Sequence, residues 1–414
     1  MPDCTNYNSL IYKYRIIIFI IILIIFLSLR LYKLSSKFVY VDEYKAVEFA
    51  LMSPRELIST LSTREPHPPL HYLLIHYWMK LVHPSLLEMK SSSEVLDCDT
   101  TSLLNNRFVL RLPGIFFSTL TLILLYGFAS RIYNYKIALL SALIFSLSRF
   151  ETFWAQTIRY PTFMMLLGLI STYLFYLIWT KLFVGAYRDT PRYSGKLTIL
   201  SMGYILSTIA GLYTHYYMFF VVLFQNIYLF VKYLARSRDH AFSSGAIYRT
   251  SGNDSQYFLT KKIGIWLLIQ CLVIVGFLFW LPTLLKQLRI ASTDSYGVAH
   301  ATISSIPLLL YRFLFMYGLQ TYTPVGGFRG LICFAIFAIL FIFSIKGNKL
   351  IIYLNIFVPI IIVFLLTPIK QLFVEHYFMF CFPAYVIFMG VGLEKITETI
   401  TTIFIRQQII PKKT

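Results

Sequence analysis

Apolar residues in this chain come in long runs rather than in the alternating or amphipathic patterns of water-soluble elements. A helix rises 1.5 Å per residue, so crossing a hydrocarbon layer about 30 Å thick takes roughly 20 mostly apolar residues. Ten stretches meet or approach that length: 14–34, 112–130, 137–154, 160–183, 197–213, 215–234, 263–285, 328–345, 350–367 and 376–394. The third is cleanly apolar only from Ile137 to Ser148. A further apolar stretch, 303–320, is interrupted by Pro307, Arg312 and Gly318, and is expected to be an external helix lying on the membrane. The first run, Ile16 to Leu29, follows Lys13 and Arg15, and no small-x-small cleavage site comes after it. It therefore reads as an uncleaved first span. The pattern predicts a single all-α polytopic membrane domain over 1–414, with about ten transmembrane helices.

The segment between the first two spans, 35–111, is too long for a simple connector. Residues 43–61 and 66–83 read as two amphipathic juxtamembrane helices, with Pro54 restarting a turn and Tyr77 and Trp78 placed at headgroup level. Residues 88–106 are polar and read as a flexible insertion.

Charge supports this topology. Of 37 basic and 18 acidic residues, 20 and 6 fall on the N-terminal side of the membrane, and 17 and 12 on the other. That bias follows the positive-inside rule and predicts a multi-pass plasma (inner) membrane protein with both termini cytoplasmic. A net charge of +19 would suit nucleic acid in a soluble protein. Here the charge sits in short clusters between apolar runs, so a nucleic-acid partner is set aside. The five cysteines form no CxxC pair, which leaves neither a disulfide framework nor a cysteine zinc site. Aromatics reach 18%, in keeping with rings at bilayer interfaces and between helices.

The residues able to carry chemistry gather at one membrane level. Asp42 and Glu43 follow the first span within about ten residues. A carboxylate there could take a proton from an attacking hydroxyl, or Asp42 could cap a helix that Glu43 begins. His67-Pro68-Pro69-Leu70-His71 has two prolines setting the first turn of a helix. The i, i+4 histidines would allow a shared metal face, but His67 precedes the prolines, and contact with a phosphate or a sugar hydroxyl is the preferred reading. Glu151, Gln156 and Arg159 fall near i, i+4 and i+8 and could line one helical face, with the Arg159 guanidinium suited to a phosphate. Tyr160 follows directly. His215 lies in the turn Tyr213–Tyr217, His376 opens the last span, and Arg111 opens the second. Interface anchoring explains any one of these alone. Their convergence on one leaflet is what a site requires, because ionisable groups at membrane depth are costly.

On these residues the sequence resembles the GT-C superfamily of glycosyltransferases that use polyprenyl-phosphate sugars. It is most similar to the branch grouped with protein mannosyltransferases and aminoarabinose transferases. The matching pieces are VDEYKAVEFA (41–50), HPPLHYLLIHYW (67–78), RLPGIFFSTLTLILLYGFASRIY (111–133), WAQTIRYPTFMMLLGLISTY (154–173), GLYTHYYMFFVVLFQNIYLF (211–230), FWLPTLLKQ (279–287) and HYFMFCFPAY (376–385), in the family's order. The resemblance implies a GT-C-like fold. It implies an inverting transfer from a polyprenyl-phosphate sugar donor to an acceptor glycan, lipid or protein on the non-cytoplasmic face. Asp42 would be the catalytic base, and Arg159, His376 and Arg111 would hold the departing phosphate. Membrane lipids are the other expected partners. No resident metal is expected, and a divalent cation as an aid is left open. The chain departs from the family where Thr157 and His376 stand in place of the more usual Glu and Arg, and in the length of 88–106. Two rival readings remain: a transporter or flippase for a lipid-linked substrate, and an inactive scaffold that keeps the fold.

Overall fold

The computed structural model describes residues 4–65, 67–82, 84, 100–184, 191–243, 252–290, 301–315, 328–369 and 372–409. Most of the expected 88–106 insertion lies outside them. The described residues are largely helical and contain no strand. Lipid offers the backbone no hydrogen-bond partners, so an apolar chain of this kind must satisfy its peptide groups internally.

The first span is α1 (Cys4–Leu31). The long connection after it folds into α2 (Val41–Leu51), α3 (Pro54–Arg64) and α4 (Leu70–Val82). The stretch 43–61, read as one helix, is thus two. Pro54 stands at the first position of α3, and the Ser53 side chain caps it by accepting from Glu56 N–H at 3.4 Å. Phe49, Leu57, Leu61 and Tyr72 bury one seam among these helices. Val47, Ile75 and Met79 bury a second, together with Leu110 and Ile158. That second seam anchors the external helices to the bundle.

The bundle continues through α5 (Thr100–Ile132), α6 (Tyr135–Leu147), α7 (Arg149–Ala155) and α8 (Pro161–Trp179, extended by a π turn to Val184). Next come α9 (Pro191–Leu212), α10 (Met218–Ser243), α11 (Gly252–Leu278) and α12 (Leu281–Ile290). The remainder is α13 (Ser305–Phe315), α14 (Phe328–Ile345), α15 (Leu350–Leu366), a 3-10 turn (Glu375–Cys381) and α16 (Phe382–Ile409).

Helices stand at all ten expected stretches, but among the described residues seven are long and apolar enough to cross a membrane, or eight if the bent pair α6–α7 is one span. The third expected span bends by 63° between α6 and α7. The 18 residues of α14 reach about 27 Å and the 17 of α15 about 26 Å. The apolar stretch beginning at 303 is helical as α13, with Phe313 packed on Phe150, Phe382 and Tyr385.

The bend in the third span leaves carbonyls without helical partners. Arg30, fully buried at the end of α1, donates to Phe145 O at 3.0 Å and also to Ser146 O. The same guanidinium pairs with buried Glu151, Nε to Oε2 at 2.9 Å, and Ser118 Oγ donates to the other carboxylate oxygen. Gly114 lets α5 come close here, since a Cβ would lie 2.7 Å from Ala155 O.

Candidate functional site

Three tight turns and the external helices meet at one end of the bundle. They are the α7–α8 turn (156–160), the α9–α10 turn (213–217) and the 3-10 turn before α16. Leu70 N–H donates to Tyr213 O at 2.9 Å, joining α4 to the second of these turns. At the opposite end Tyr133 meets Asn348 at 3.1 Å and Asn134 meets Glu394 at 3.1 Å.

The site end contains an ion pair between Asp42 and Arg159, 3.1 Å from Oδ2 to Nη1. The Asp42 side chain is 56% exposed and that of Arg159 is 12% exposed. Asp42 does not cap α2; the cap residue is Tyr40. The guanidinium of Arg159 lies over the Tyr160 ring, 5.2 Å from its centroid. Its Nε is buried and makes no hydrogen bond. Two further buried nitrogens close by are also without a partner, Trp154 Nε1 and His376 Nε2. The Trp154 and His376 rings lie 4.4 Å apart, and His376 and Tyr160 are 6.1 Å apart. Nitrogens from three separate segments therefore remain available where a cation already sits.

Four of the chain's eight histidines stand around Tyr160. His215 stacks on it at 4.7 Å, His67 lies at 5.2 Å, and His71 and His376 are farther out at 6.3 and 6.1 Å. Their environments differ. Burial first, and then the positive charge of Arg159, push His71 down to about 3, so its imidazole is neutral at physiological pH. Burial likewise holds His215 well below the usual value, helped by His67, His376 and Arg159. The hydroxyl of Tyr160 is kept protonated by burial. His67 instead has a carboxylate partner, pairing through Nδ1 with Glu65. Burial alone would raise Glu65, but the hydrogen bond and charge of His67, with Arg159 and Lys45, bring it below its ordinary value.

Four of the expected site residues stand apart from this cluster, and each has a structural reason. Glu43 is fully buried and grips Arg111 through two hydrogen bonds of 3.0 Å. It also accepts from Ile158 N–H at 3.0 Å and from Tyr40 N–H at 3.1 Å. Arg111 is buried as well and donates to Leu34 O at 2.9 Å and Phe38 O at 3.0 Å. Its guanidinium is thus committed to protein groups, which does not suit the phosphate contact expected of it, and Glu43 is likewise spent on holding the 34–43 segment. Glu151 is occupied by Arg30 and Ser118. Gln156 donates to Arg30 O at 2.7 Å and accepts from Lys37. The expected helical face through Glu151, Gln156 and Arg159 does not form, because α7 ends at Ala155.

Sequence reasoning did not single out Glu65, and gave Trp154 no role of its own. Glu65 sits two residues before His67, across Pro66, and a short-range carboxylate–histidine pair was the signal available. Trp154 carries no such signal. Among the described residues, no group of three or more His, Cys, Asp or Glu side chains is arranged to hold a metal ion.

No family model matches the sequence. No curated protein matches it either. Among solved structures, the chain is similar to the crystal structure of ArnT from Cupriavidus metallidurans in the apo state, with a TM-score of 0.48 and 14% sequence identity. The match covers 94% of this chain and 60% of that one, so this chain spans less than two thirds of the length of that protein.

The depressed His71 makes a testable statement about stability. In the unfolded chain its imidazole takes up a proton near pH 6.5, but in the folded protein only near 3. Between those values the unfolded state binds the extra proton. This contribution is therefore fully present above about 6.5 and is lost progressively as pH falls toward about 3. Thermal unfolding of the purified protein in detergent, followed from pH 7.5 to pH 4.5, should show a downward slope that His71→Asn reduces. An unchanged slope in the variant would place the acid sensitivity elsewhere.

Proposed function

We propose that this chain is an inverting glycosyltransferase that moves a sugar from a polyprenyl-phosphate carrier to a glycan, lipid or protein acceptor on the non-cytoplasmic face of the plasma (inner) membrane. The observation that carries the reading is the Asp42–Arg159 pair, half-exposed on its acidic side and backed on its basic side by buried, unpartnered nitrogens. A proton acceptor and an anion receptor stand side by side, which is what displacement of a phosphate by a hydroxyl or amine needs. Asp42 takes the acceptor's proton as the acceptor attacks the anomeric carbon. The sugar–oxygen bond breaks and its electrons go to the lipid phosphate. Arg159, His376 and Trp154 supply donors already in place for that charge, in surroundings of low dielectric where such contacts are strong.

The transporter reading draws on one observation. Tyr204, Gln225, Ser171, Thr208, Gln270, Asn226 and Trp266 form a connected polar set among α8–α11, with Tyr204 donating to Gln225 at 2.7 Å and Trp266 to Asn226 at 2.9 Å. Each member has a protein partner, and Tyr204 and Gln225 are fully buried. Such a set acts as a latch between helices rather than as a path for a substrate.

The test is mass spectrometry of envelope glycans and glycolipids in cells with and without the gene. Deletion should remove one sugar substituent, and the wild-type gene should restore it. Arg159→Gln should restore it poorly, since loss of a charged hydrogen bond of about 1.5–3 kcal/mol weakens donor binding by roughly tenfold to 150-fold. An unaltered glycan profile in the deletion strain would remove the basis for the reading.

A further inference from the structure

Of the four histidines around Tyr160, one is built differently. His67 presents Nδ1 to the Glu65 carboxylate, which fixes its tautomer and leaves Nε2 on the opposite edge of the ring. That imidazole is surrounded by Tyr160 at 5.2 Å, His215 at 5.3 Å and Tyr377 at 6.1 Å. Its side chain is 12% exposed and that of Glu65 is 16% exposed. We propose that His67, backed by Glu65, is the general acid of the site and hands a proton to the departing lipid phosphate. This rests on the glycosyl-transfer reading above and adds to it the residue that neutralises the leaving group.

The chemistry gives such a group a role. In the donor, the phosphodiester carries one negative charge. When the bond from the anomeric carbon to oxygen breaks, its electron pair stays on that oxygen, and the lipid phosphate would leave as a dianion. A phosphate monoester has its second pKa near 6, so a proton delivered at that moment is worth most near neutral pH. His67, starting as the imidazolium with Nδ1–H on Glu65, gives its Nε2 proton to a phosphate oxygen as the bond breaks and is left neutral. The acceptor's proton passes to Asp42. The departing lipid leaves as the monoanion, and proton return from Asp42 to His67 restores both groups, so atoms and charge balance.

The neighbours make His67 the histidine suited to this role. Around it, Arg159 and Tyr160 come from the α7–α8 turn, His71 and Tyr72 from α4, His215 from the α9–α10 turn, and His376 and Tyr377 from the 3-10 turn, with Asp42 and Lys45 on α2. Arg159 spends part of its charge on Asp42. His71 and His215 are held neutral by burial and by these positive neighbours. Among the described residues, Glu65 is the acid that pairs directly with a histidine. A carboxylate on one ring nitrogen stabilises the imidazolium and orients the other nitrogen, as in catalytic histidine–carboxylate pairs.

The test needs no knowledge of the sugar. Farnesyl phosphate stands in for the departing lipid, and its binding to the full chain in detergent is measured by calorimetry in two buffers of different ionisation heat. Wild type should bind with pH-dependent proton exchange near neutrality. His67→Gln should still bind farnesyl phosphate but lose that exchange, and Glu65→Gln should shrink it; thermal unfolding confirms that both variants are folded. Exchange that persists unchanged in folded His67→Gln, or in Glu65→Gln should the former not fold, overturns the assignment while leaving the transferase reading in place. Wild-type protein that does not bind farnesyl phosphate overturns both.

Discussion

Replacing Asp42 with Asn is expected to lower sugar transfer by about 10²–10⁴-fold, the usual worth of a positioned general base. The amide keeps the size and the hydrogen-bond reach of the carboxylate but cannot accept a proton at neutral pH. The cost to folding should fall between the about 0–1 kcal/mol of an exposed pair and the about 3–5 kcal/mol of a buried one, because the Asp42 side chain is 56% exposed and that of Arg159 12%. Lipid-phosphate binding should be kept or tightened, since Arg159 loses a competing anion. The check is the missing envelope sugar in complemented cells, read beside the amount of protein in the membrane. Full restoration of the sugar by Asp42→Asn would remove Asp42 from the mechanism.

The adjacent acid should behave in the opposite way. Glu43→Ala leaves the buried guanidinium of Arg111 without its carboxylate, and breaking a buried pair from one side costs about 3–5 kcal/mol. It also strips Ile158 N–H of its acceptor, in the turn that carries Arg159. The expected result is a large fall in thermal stability in detergent, with activity lost only as a consequence. Glu43→Leu combined with Arg111→Met should recover part of that loss, because neither charge is then buried alone. Recovery should be incomplete, since Leu34 O and Phe38 O also rely on Arg111. Normal stability for Glu43→Ala would show that the pair holds nothing. Two neighbouring carboxylates thus separate into one that faces the site and one that holds the scaffold.

How far the sequence discloses this arrangement depends on distance along the chain. The spans are legible because each is a local property, a run of apolar residues bounded by charge. Positions of the turns at 156–160, 213–217 and 375–377 follow from the ends of those runs, and so does their meeting at one end of the bundle. What a single sequence does not carry is who pairs with whom. Glu43 and Arg111 are 68 positions apart, and Arg30 and Glu151 are 121 apart. Read alone, each of these charges looks like a candidate ligand, and each is in fact satisfied by the other. Glu65 shows the converse. Its partner is two residues away, but the pair lies past the end of α3, and no periodic pattern marks it.

Arg30 also bears on how the molecule is assembled. It leaves the ribosome well over a hundred residues before the carboxylate of Glu151 exists to meet it, and its other acceptors, Phe145 O and Ser146 O, become available only when the third span has bent. Until then the Arg30 guanidinium is without these partners. Closure of that contact converts a tethered early segment into a fixed wall of the bundle. Biogenesis therefore has a step at which α1 is locked only after a further 121 residues have been made.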